Sequence, residues 1–108
     1  MISNSNNSVD DIINNLSPIE KSILYECGKI NASVNKNVSE DTLKKKLSNK
    51  NLKGFSKAKK SLLSKGLLVK YRSGNYGVSK LGRIIMKRIQ EERQNDIYKG
   101  LRILMMFD

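Results

Sequence analysis

The sequence contains no histidine and no tryptophan, and only one cysteine and one proline, in 108 residues. Without histidine, the common zinc sites and the Ser-His or Cys-His pairs of nucleophilic enzymes are excluded or strongly disfavoured. The single Cys27 cannot form a disulfide within the chain, which is typical of a reducing compartment. It falls on the apolar stripe of a predicted helix, so we interpret it as a core residue and not as a nucleophile. These absences predict no cofactor, no metal site and no enzymatic activity.

Long apolar runs are also absent, since no stretch approaches the roughly 20 residues that a membrane span needs. The first residues, MISNSNNSV, lack the basic start and apolar block of a secretory signal peptide. Residues 1–8 are rich in Asn and Ser, a composition that predicts a flexible tail. We therefore expect a soluble cytoplasmic protein.

Acidic residues are missing from residues 43–90, which carry fifteen Lys or Arg, whereas the whole chain has a net charge of +11. A lysine-rich genome is one explanation of this bias. It would add lysine throughout the chain, however, without removing every acid from one segment. A polyanionic partner is the explanation that we favour.

The first half of the chain carries three helix signals. Residues 9–16 predict a short helix, and Ser17, Pro18 and Glu20 form the capping signal of a second helix over 18–31. The apolar stripe of this second helix consists of Ile19, Ile23, Cys27 and Ile30. Ser39 caps a third, shorter helix, in which Leu43 and Leu47 face inward and Lys44, Lys45 and Lys46 face outward.

A further helix is predicted over residues 55–65, where Phe55, Ala58 and Leu62 share one face and Gly66 ends the helix in a left-handed conformation. The opposite face holds Lys57, Lys60, Ser61 and Ser64. Lys59 projects close to the apolar face. Its stem is expected to pack there while its ammonium group reaches solvent.

A β-hairpin is predicted over residues 68–78, because Val69 and Tyr71 alternate with Lys70 and Arg72 as in a half-buried strand. Gly74 and Asn75 are the predicted two-residue loop. Tyr76 and Val78 are expected on the core side of the returning strand, and Ser79 is the predicted cap of the last helix.

The stretch FSKAKKSLLSKGLLVKYRSGNYGVSKLG, residues 55–82, resembles winged helix-turn-helix DNA-binding proteins of the archaeal or bacterial transcriptional-regulator type. The shared pattern comprises Ala58, Leu62, KGL at 65–67, a short hairpin, and Y.VS..G leading into a helix. The resemblance covers about residues 17–90. It implies a mainly α fold with a small β-hairpin, in which a winged-helix DNA-binding domain (9–90) is followed by a C-terminal helical segment (91–108).

The resemblance also implies a site, with the helix at 55–65 as the recognition helix in the major groove. Its outward residues are Ser56, Lys57, Lys60, Ser61 and Ser64. The candidate contact residues of the wing are Lys70, Arg72, Asn75 and Lys80. The candidate contacts to flanking phosphates are Lys44, Lys45, Lys46 and Lys53. Because the recognition helix offers no Arg, Asn or Gln for bidentate base contacts, modest specificity or reading of DNA shape is expected.

The last helix shows two apolar groups. Leu81, Ile84, Ile85, Ile89 and Glu92 share one face, and a second group lies about 160° round the helix. This second group consists of Ile97, Leu101, Leu104 and Met105. Either the helix breaks near Asn95 or it continues with a second apolar face. That face either packs back on the helix at 18–31 or forms a two-fold dimer through residues 95–107, and we favour the homodimer.

The function that these features predict is binding of double-stranded DNA, from sequence-tolerant to moderately specific, by a transcriptional regulator associated with the nucleoid. Three alternatives use the same fold. They are an architectural, chromatin-type DNA-binding protein, an RNA-binding winged helix, and a protein-interaction module of a larger complex.

Overall fold

A computed structural model describes the backbone of residues 5–48 and 52–106, and the side chains of residues 9–48, 52–97 and 99–101. These residues form a mainly helical fold with one small antiparallel sheet, as the sequence predicts. In chain order the elements are α1 (Ser5–Asn14), α2 (Pro18–Lys29), β1 (Val38–Ser39), α3 (Glu40–Lys46), α4 (Phe55–Ser64), β2 (Leu68–Arg72), β3 (Asn75–Val78) and α5 (Lys80–Met106). Among the described residues, no helix has the length and apolar character that crossing a bilayer requires.

Helix α1 begins at Ser5, within the stretch predicted to be a tail; residues 1–4 lie outside the described ranges. Its buried residues Val9 and Ile13 contribute to the core, together with Leu16 in the turn that follows. The predicted capping box of α2 is confirmed. The Ser17 hydroxyl accepts the Glu20 N–H (3.2 Å), and the Glu20 carboxylate accepts the Ser17 N–H (2.8 Å).

The Glu20 carboxylate is buried and also binds Lys65 beyond the end of α4, with Nζ 3.0 Å from Oε2 and 3.3 Å from Oε1. Burial by itself raises the pKa of Glu20. The Ser17 N–H, the Ser61 hydroxyl and Lys65 outweigh this effect, so that the pKa lies below its ordinary value of 4.5. Glu20 therefore both caps α2 and ties it to α4.

The lowered pKa of Glu20 predicts acid-sensitive folding. The unfolded chain binds more protons in the window between the folded pKa and 4.5, so the stabilisation is complete above 4.5 and is lost as pH falls through the folded pKa. Glu20→Gln should cost about 1 kcal/mol or more at pH 7, and this difference from the native protein should shrink towards pH 3. Urea unfolding across this pH range measures it, with exposed Glu91→Gln as the control. A difference that stays constant down to pH 3 would contradict the assignment.

The sheet has the order β1-β3-β2, with β3 in the centre. The sequence predicted only the hairpin of β2 and β3. Strand β1 adds Val38 opposite Tyr76 and Ser39 opposite Asn75. This third strand is only two residues long, and its pairing depends on residues nearly forty positions away, so local pattern does not show it.

Two details of the predicted hairpin are wrong. Val69 and Tyr71 are exposed, Tyr71 by 58%, because Leu68 pairs with Val78 and Lys70 pairs with Tyr76. Directly opposed residues share a face, so Leu68 and Lys70 lie on the same face as the buried Val78 and Tyr76, and of the residues of β2 only Leu68 is buried.

The hairpin loop also differs from the prediction. It consists of Ser73 and Gly74, and Gly74 has φ +81°. Asn75 belongs to β3 and pairs with Arg72, after an irregularity between Lys70 and Arg72. The added residue at this irregularity shifts the loop by one position from the one expected.

Helix α4 matches its prediction closely. Phe55, Ala58 and Leu62 are buried, and the helix ends in a Schellman motif. The Gly66 N–H donates to the Leu63 carbonyl (3.1 Å) and the Leu67 N–H to the Leu62 carbonyl (3.0 Å), with Gly66 at φ +74°. The motif turns the chain directly from α4 into β2.

Helix α5 is capped by Ser79, whose Oγ accepts the Gly82 N–H at 2.9 Å and donates to the Gly66 carbonyl at 2.6 Å. The predicted inner face is only partly right. Ile85 and Ile89 are buried together with Met86, whereas Leu81, Ile84 and Glu92 are exposed. Two glycines explain this difference. A Cβ at Gly82 would overlap the Leu67 carbonyl oxygen, and a Cβ at Gly28 would lie 2.9 Å from Met86 Cγ, so close backbone approach sets the inward face.

Helix α5 continues through Asn95 to Met106 without a break. Of the side chains described beyond Gln90, all are exposed, including Ile97 by 60% and Leu101 by 49%. The radius of gyration is 15.3 Å, against about 13 Å for a compact domain of this length. The second half of α5 thus projects from the core.

The corrected inner face also changes the angle between the two apolar groups of α5. At 100° per residue, Ile97 and Leu101 lie about 90° from the buried face of Ile85, Met86 and Ile89. The side chains of Leu104 and Met105, which complete the predicted dimerisation stripe, lie outside the described residues. Ile97 lines a shallow surface pocket together with Tyr25 of α2, Gln90 and Gln94, and most of its surface is exposed.

Candidate nucleic-acid interface

The outer face of α4 carries the exposed side chains of Lys57 and Lys60, flanked by Ser56 and Ser64. These residues are exposed because Phe55, Ala58 and Leu62 recur with the helical period and form the buried face, so the other residues lie on the opposite side of the helix. Lys53 is exposed one residue before the N-cap Gly54. These side chains form a row along a helix about 15 Å long.

Ser61 does not belong to this outer row, although the sequence placed it there. It is half-buried, and its hydroxyl helps to lower the pKa of Glu20 on α2. The reason is tertiary: α2 packs along this edge of α4. Ser61 therefore contributes to the contact between the two helices.

Lys45 and Lys46 are exposed on the last turn of α3, as predicted. Lys44 is also exposed, but it is partnered, since its Nζ lies 3.2 Å from Oε2 of Glu40 and 5.5 Å from the centroid of the Phe55 ring. Of the three predicted phosphate contacts on α3, two are therefore exposed without a described acidic partner, and the third is held by the first residue of its own helix.

The prediction for Lys59 is wrong in one respect. Its side chain is only 15% exposed, and its ammonium group donates to Glu40 Oε1 at 2.7 Å instead of reaching solvent. The same Nζ lies 5.2 Å from the centroid of the Tyr76 ring. Hydrogen bonding to Glu40 and then to Tyr76 raises the pKa of Lys59, so it stays charged. A local helical projection could not show this partner, which is nineteen residues away.

The hairpin lies against the N-terminus of α3. The Glu40 N–H donates to the Gly74 carbonyl at 2.8 Å, and Ser39 next to it caps α3 through the Thr42 N–H at 3.1 Å. Lys70 is exposed opposite Tyr76. The loop of the hairpin is thus anchored to the protein.

The remaining predicted wing residues have different surroundings. Arg72 is exposed, with its guanidinium 5.1 Å from the Tyr71 ring centroid, whereas Asn75 is half-buried within β3. Lys80 is exposed at the first position of α5, next to Ser79, which binds the carbonyl of Gly66 at the end of α4. Lys80 and Lys53 therefore lie near opposite ends of α4.

Two acids next to this surface, Glu20 and Glu40, are paired with lysines. Glu20 binds Lys65, and Glu40 binds Lys59 and Lys44. We refer to the exposed cations that have no acidic partner among the described residues of this region as the basic surface. It consists of Lys45, Lys46, Lys53, Lys57, Lys60, Lys70, Arg72 and Lys80. Such a surface offers ammonium and guanidinium donors to phosphate oxygens.

Metal-ligating and thiol side chains can also be located in the described part of the chain. Among those residues, no three His, Cys, Asp or Glu side chains lie close enough to hold a metal ion. Cys27 is buried, as predicted, and burial raises the pKa of its thiol to about 12, so it is not a reactive thiolate.

Comparison with known proteins identifies no relative of this chain, so a function has to be inferred from its own residues. No family model matches the chain, and neither a curated protein nor a solved structure matches it at a significant level.

Proposed function

We propose that this protein is a winged helix-turn-helix protein that binds double-stranded DNA, with α4 in the major groove and the hairpin of β2 and β3 as the wing. The observation that carries the proposal is the basic surface, which extends from α3 along α4 to the hairpin within a segment that contains no acid. The order α2, α3, α4, hairpin and α5 agrees with that fold. The protein is not expected to be an enzyme.

The chemistry of the outer face of α4 favours phosphate binding over reading of bases. Lys57 and Lys60 can reach phosphates or guanine acceptors, and the hydroxyls of Ser56 and Ser64 can bind either. Bidentate contacts from Arg, Asn or Gln are not offered by the sequence of α4. We therefore propose a regulator of modest specificity that acts at the nucleoid.

The same lack of bidentate groups favours a second candidate, an architectural DNA-binding protein without sequence choice. Selection of bound fragments from random duplex DNA at two salt concentrations separates the two candidates. A palindromic consensus supports the regulator, and enrichment by base composition alone supports the architectural protein.

We further propose that the protein is a homodimer through the second half of α5. Ile97 and Leu101 are exposed apolar residues one helical turn apart on a helix that projects from the core. Pairing with a second copy covers them, and two-fold symmetry places two α4 helices on one duplex with half-sites about 10 base pairs apart, or a multiple of that.

Removal of the outward lysines of α4 should weaken DNA binding without unfolding the protein. Lys57→Ala and Lys60→Ala should each reduce duplex affinity about fivefold or more, since each removes a charge-assisted bond. Fluorescence anisotropy with a labelled duplex measures the affinity, and thermal unfolding checks the fold.

Two further variants complete this test. Lys87→Ala removes the same charge from the part of α5 that packs on α2, and it should leave affinity almost unchanged. Leu62→Ala truncates a fully buried residue, and it should lower the free energy of unfolding by about 2–5 kcal/mol. Unchanged affinity in both α4 lysine variants would show that α4 is not the recognition helix.

A further inference from the structure

Glu40 connects three elements of the proposed interface through one side chain and one backbone group. Its Oε1 binds Lys59 of α4 at 2.7 Å, and its Oε2 binds Lys44 of α3 at 3.2 Å. Its backbone N–H donates to Gly74 in the loop of the hairpin at 2.8 Å. Lys59 also contacts the hairpin, since its ammonium group lies over the Tyr76 ring of β3.

We propose that Glu40 is a positioning residue for DNA binding, which holds Lys59 and Lys44 away from phosphates and keeps the hairpin at a set distance from α4. This inference rests on the proposed function of α4 and the hairpin. In this role Glu40 reduces the number of lysines that attract any phosphate backbone. Binding then depends more on how well α4 and the hairpin fit the groove of the DNA.

The pairing geometry supports this role. Lys59 is largely buried between Glu40 and Tyr76, where an ammonium group needs an anionic partner to balance its loss of hydration. The hydrogen bond from Lys59 is the main reason that the pKa of Glu40 lies below the ordinary value of 4.5, so the Glu40 carboxylate stays charged at neutral pH. While this bond persists, Lys59 is not available to DNA.

Loss of the carboxylate should convert both lysines into phosphate ligands. Lys44 is already exposed and needs only a change of rotamer, and a phosphate oxygen can replace the carboxylate as the partner of Lys59. Each added phosphate contact increases the magnitude of the slope of log affinity against log salt by about 0.9. Non-specific binding should therefore become stronger at low salt.

The experiment compares Glu40→Gln with Asp41→Asn, which makes the same change in net charge one residue further along α3. Asp41 is exposed, and among the residues that the structure describes it forms no ion pair. Both acids lie in the first turn of α3, so an effect on the helix dipole is shared by the two variants. Affinity for a selected duplex and for an arbitrary duplex is measured by fluorescence anisotropy over a salt series.

Glu40→Gln should increase the magnitude of the salt slope by about 1–2 and reduce the preference for the selected duplex several-fold. Asp41→Asn and the charge-conserving Glu40→Asp should keep the slope of the native protein. An equal slope in Glu40→Gln and Asp41→Asn would overturn the inference, because net charge alone then explains the effect.

Thermal unfolding shows whether Glu40→Gln is still folded. If it is not, a second variant tests the same inference. Glu40→Gln combined with Lys59→Met removes both charges of the buried pair, and the magnitude of its salt slope should exceed that of the native protein by about 1, from the phosphate contact of Lys44. A slope increase of about 2 in this double variant, or none at all, overturns the inference. If the native protein does not bind duplex DNA, the proposed function fails, whatever the variants show.

Discussion

Duplex DNA affinity should fall about 10³–10⁵-fold when the salt concentration rises from about 50 to about 200 mM. The fall follows from the release of counterions by cations of the basic surface, and it is of this size for a dimer that makes roughly 6–10 phosphate contacts. Lys45, Lys46, Lys57 and Lys60 supply four exposed ammonium groups in each copy. Four contacts from each of two copies fall within this range.

A titration series at five or more salt concentrations measures this dependence, with affinity plotted on logarithmic axes. A nearly flat line would contradict phosphate neutralisation as the source of binding. Competition with tRNA belongs in the same experiment, because equal competition by tRNA and by duplex DNA would favour the RNA-binding alternative.

Substitution of the exposed apolar residues of α5 should separate the dimer and weaken DNA binding about 10²–10⁴-fold. The variant Ile97→Gln with Leu101→Gln replaces two exposed side chains, so a monomer should fold as well as the native protein does. In a dimer the same change places amides in the interface. Light scattering at matched concentration should give twice the chain mass of 12.2 kDa for the native protein and 12.2 kDa for the variant.

Ile84→Gln is the matched control, because Ile84 is an equally exposed apolar residue in the first half of the same helix. It should leave both mass and affinity unchanged. A monomeric native protein would contradict the proposed dimer. Unfolding of the Ile97 and Leu101 variant would instead show that this stripe packs on its own domain.

The elements that the sequence predicted well are those whose signals lie within a few residues of one another. The capping box of Ser17 and Glu20 and the cap at Ser39 are each complete within one helical turn, and the left-handed conformation at the end of α4 is predicted from Gly66 itself. The buried face of α4 is equally local, since three apolar residues and a constant period determine it.

The predictions that failed depend on partners distant in the chain. The side of β2 that faces the core follows from the register with β3, and the environment of Lys59 follows from Glu40 on α3. The inward face of α5 follows from close approach at Gly28 and Gly82, and a count of apolar residues gives glycine no weight. At the candidate site, the exposed lysines could be predicted because the helix positions that lie away from the apolar face are the ones exposed to solvent. The carboxylate that holds two lysines in place was not.

The continuity of α5 has a mechanical consequence for the proposed dimer. A helix of 27 residues is about 40 Å long, and it joins the core at one end to the apolar stripe at the other. If two copies pair at the far ends, a tilt of about 5° at the pairing contact displaces each core by about 3.5 Å, close to the 3.4 Å rise of one base pair. The helix then acts as a lever arm, and the crossing angle of two such arms sets the spacing of half-sites. Substitutions at the pairing contact should therefore change the preferred spacing before they change the preferred bases.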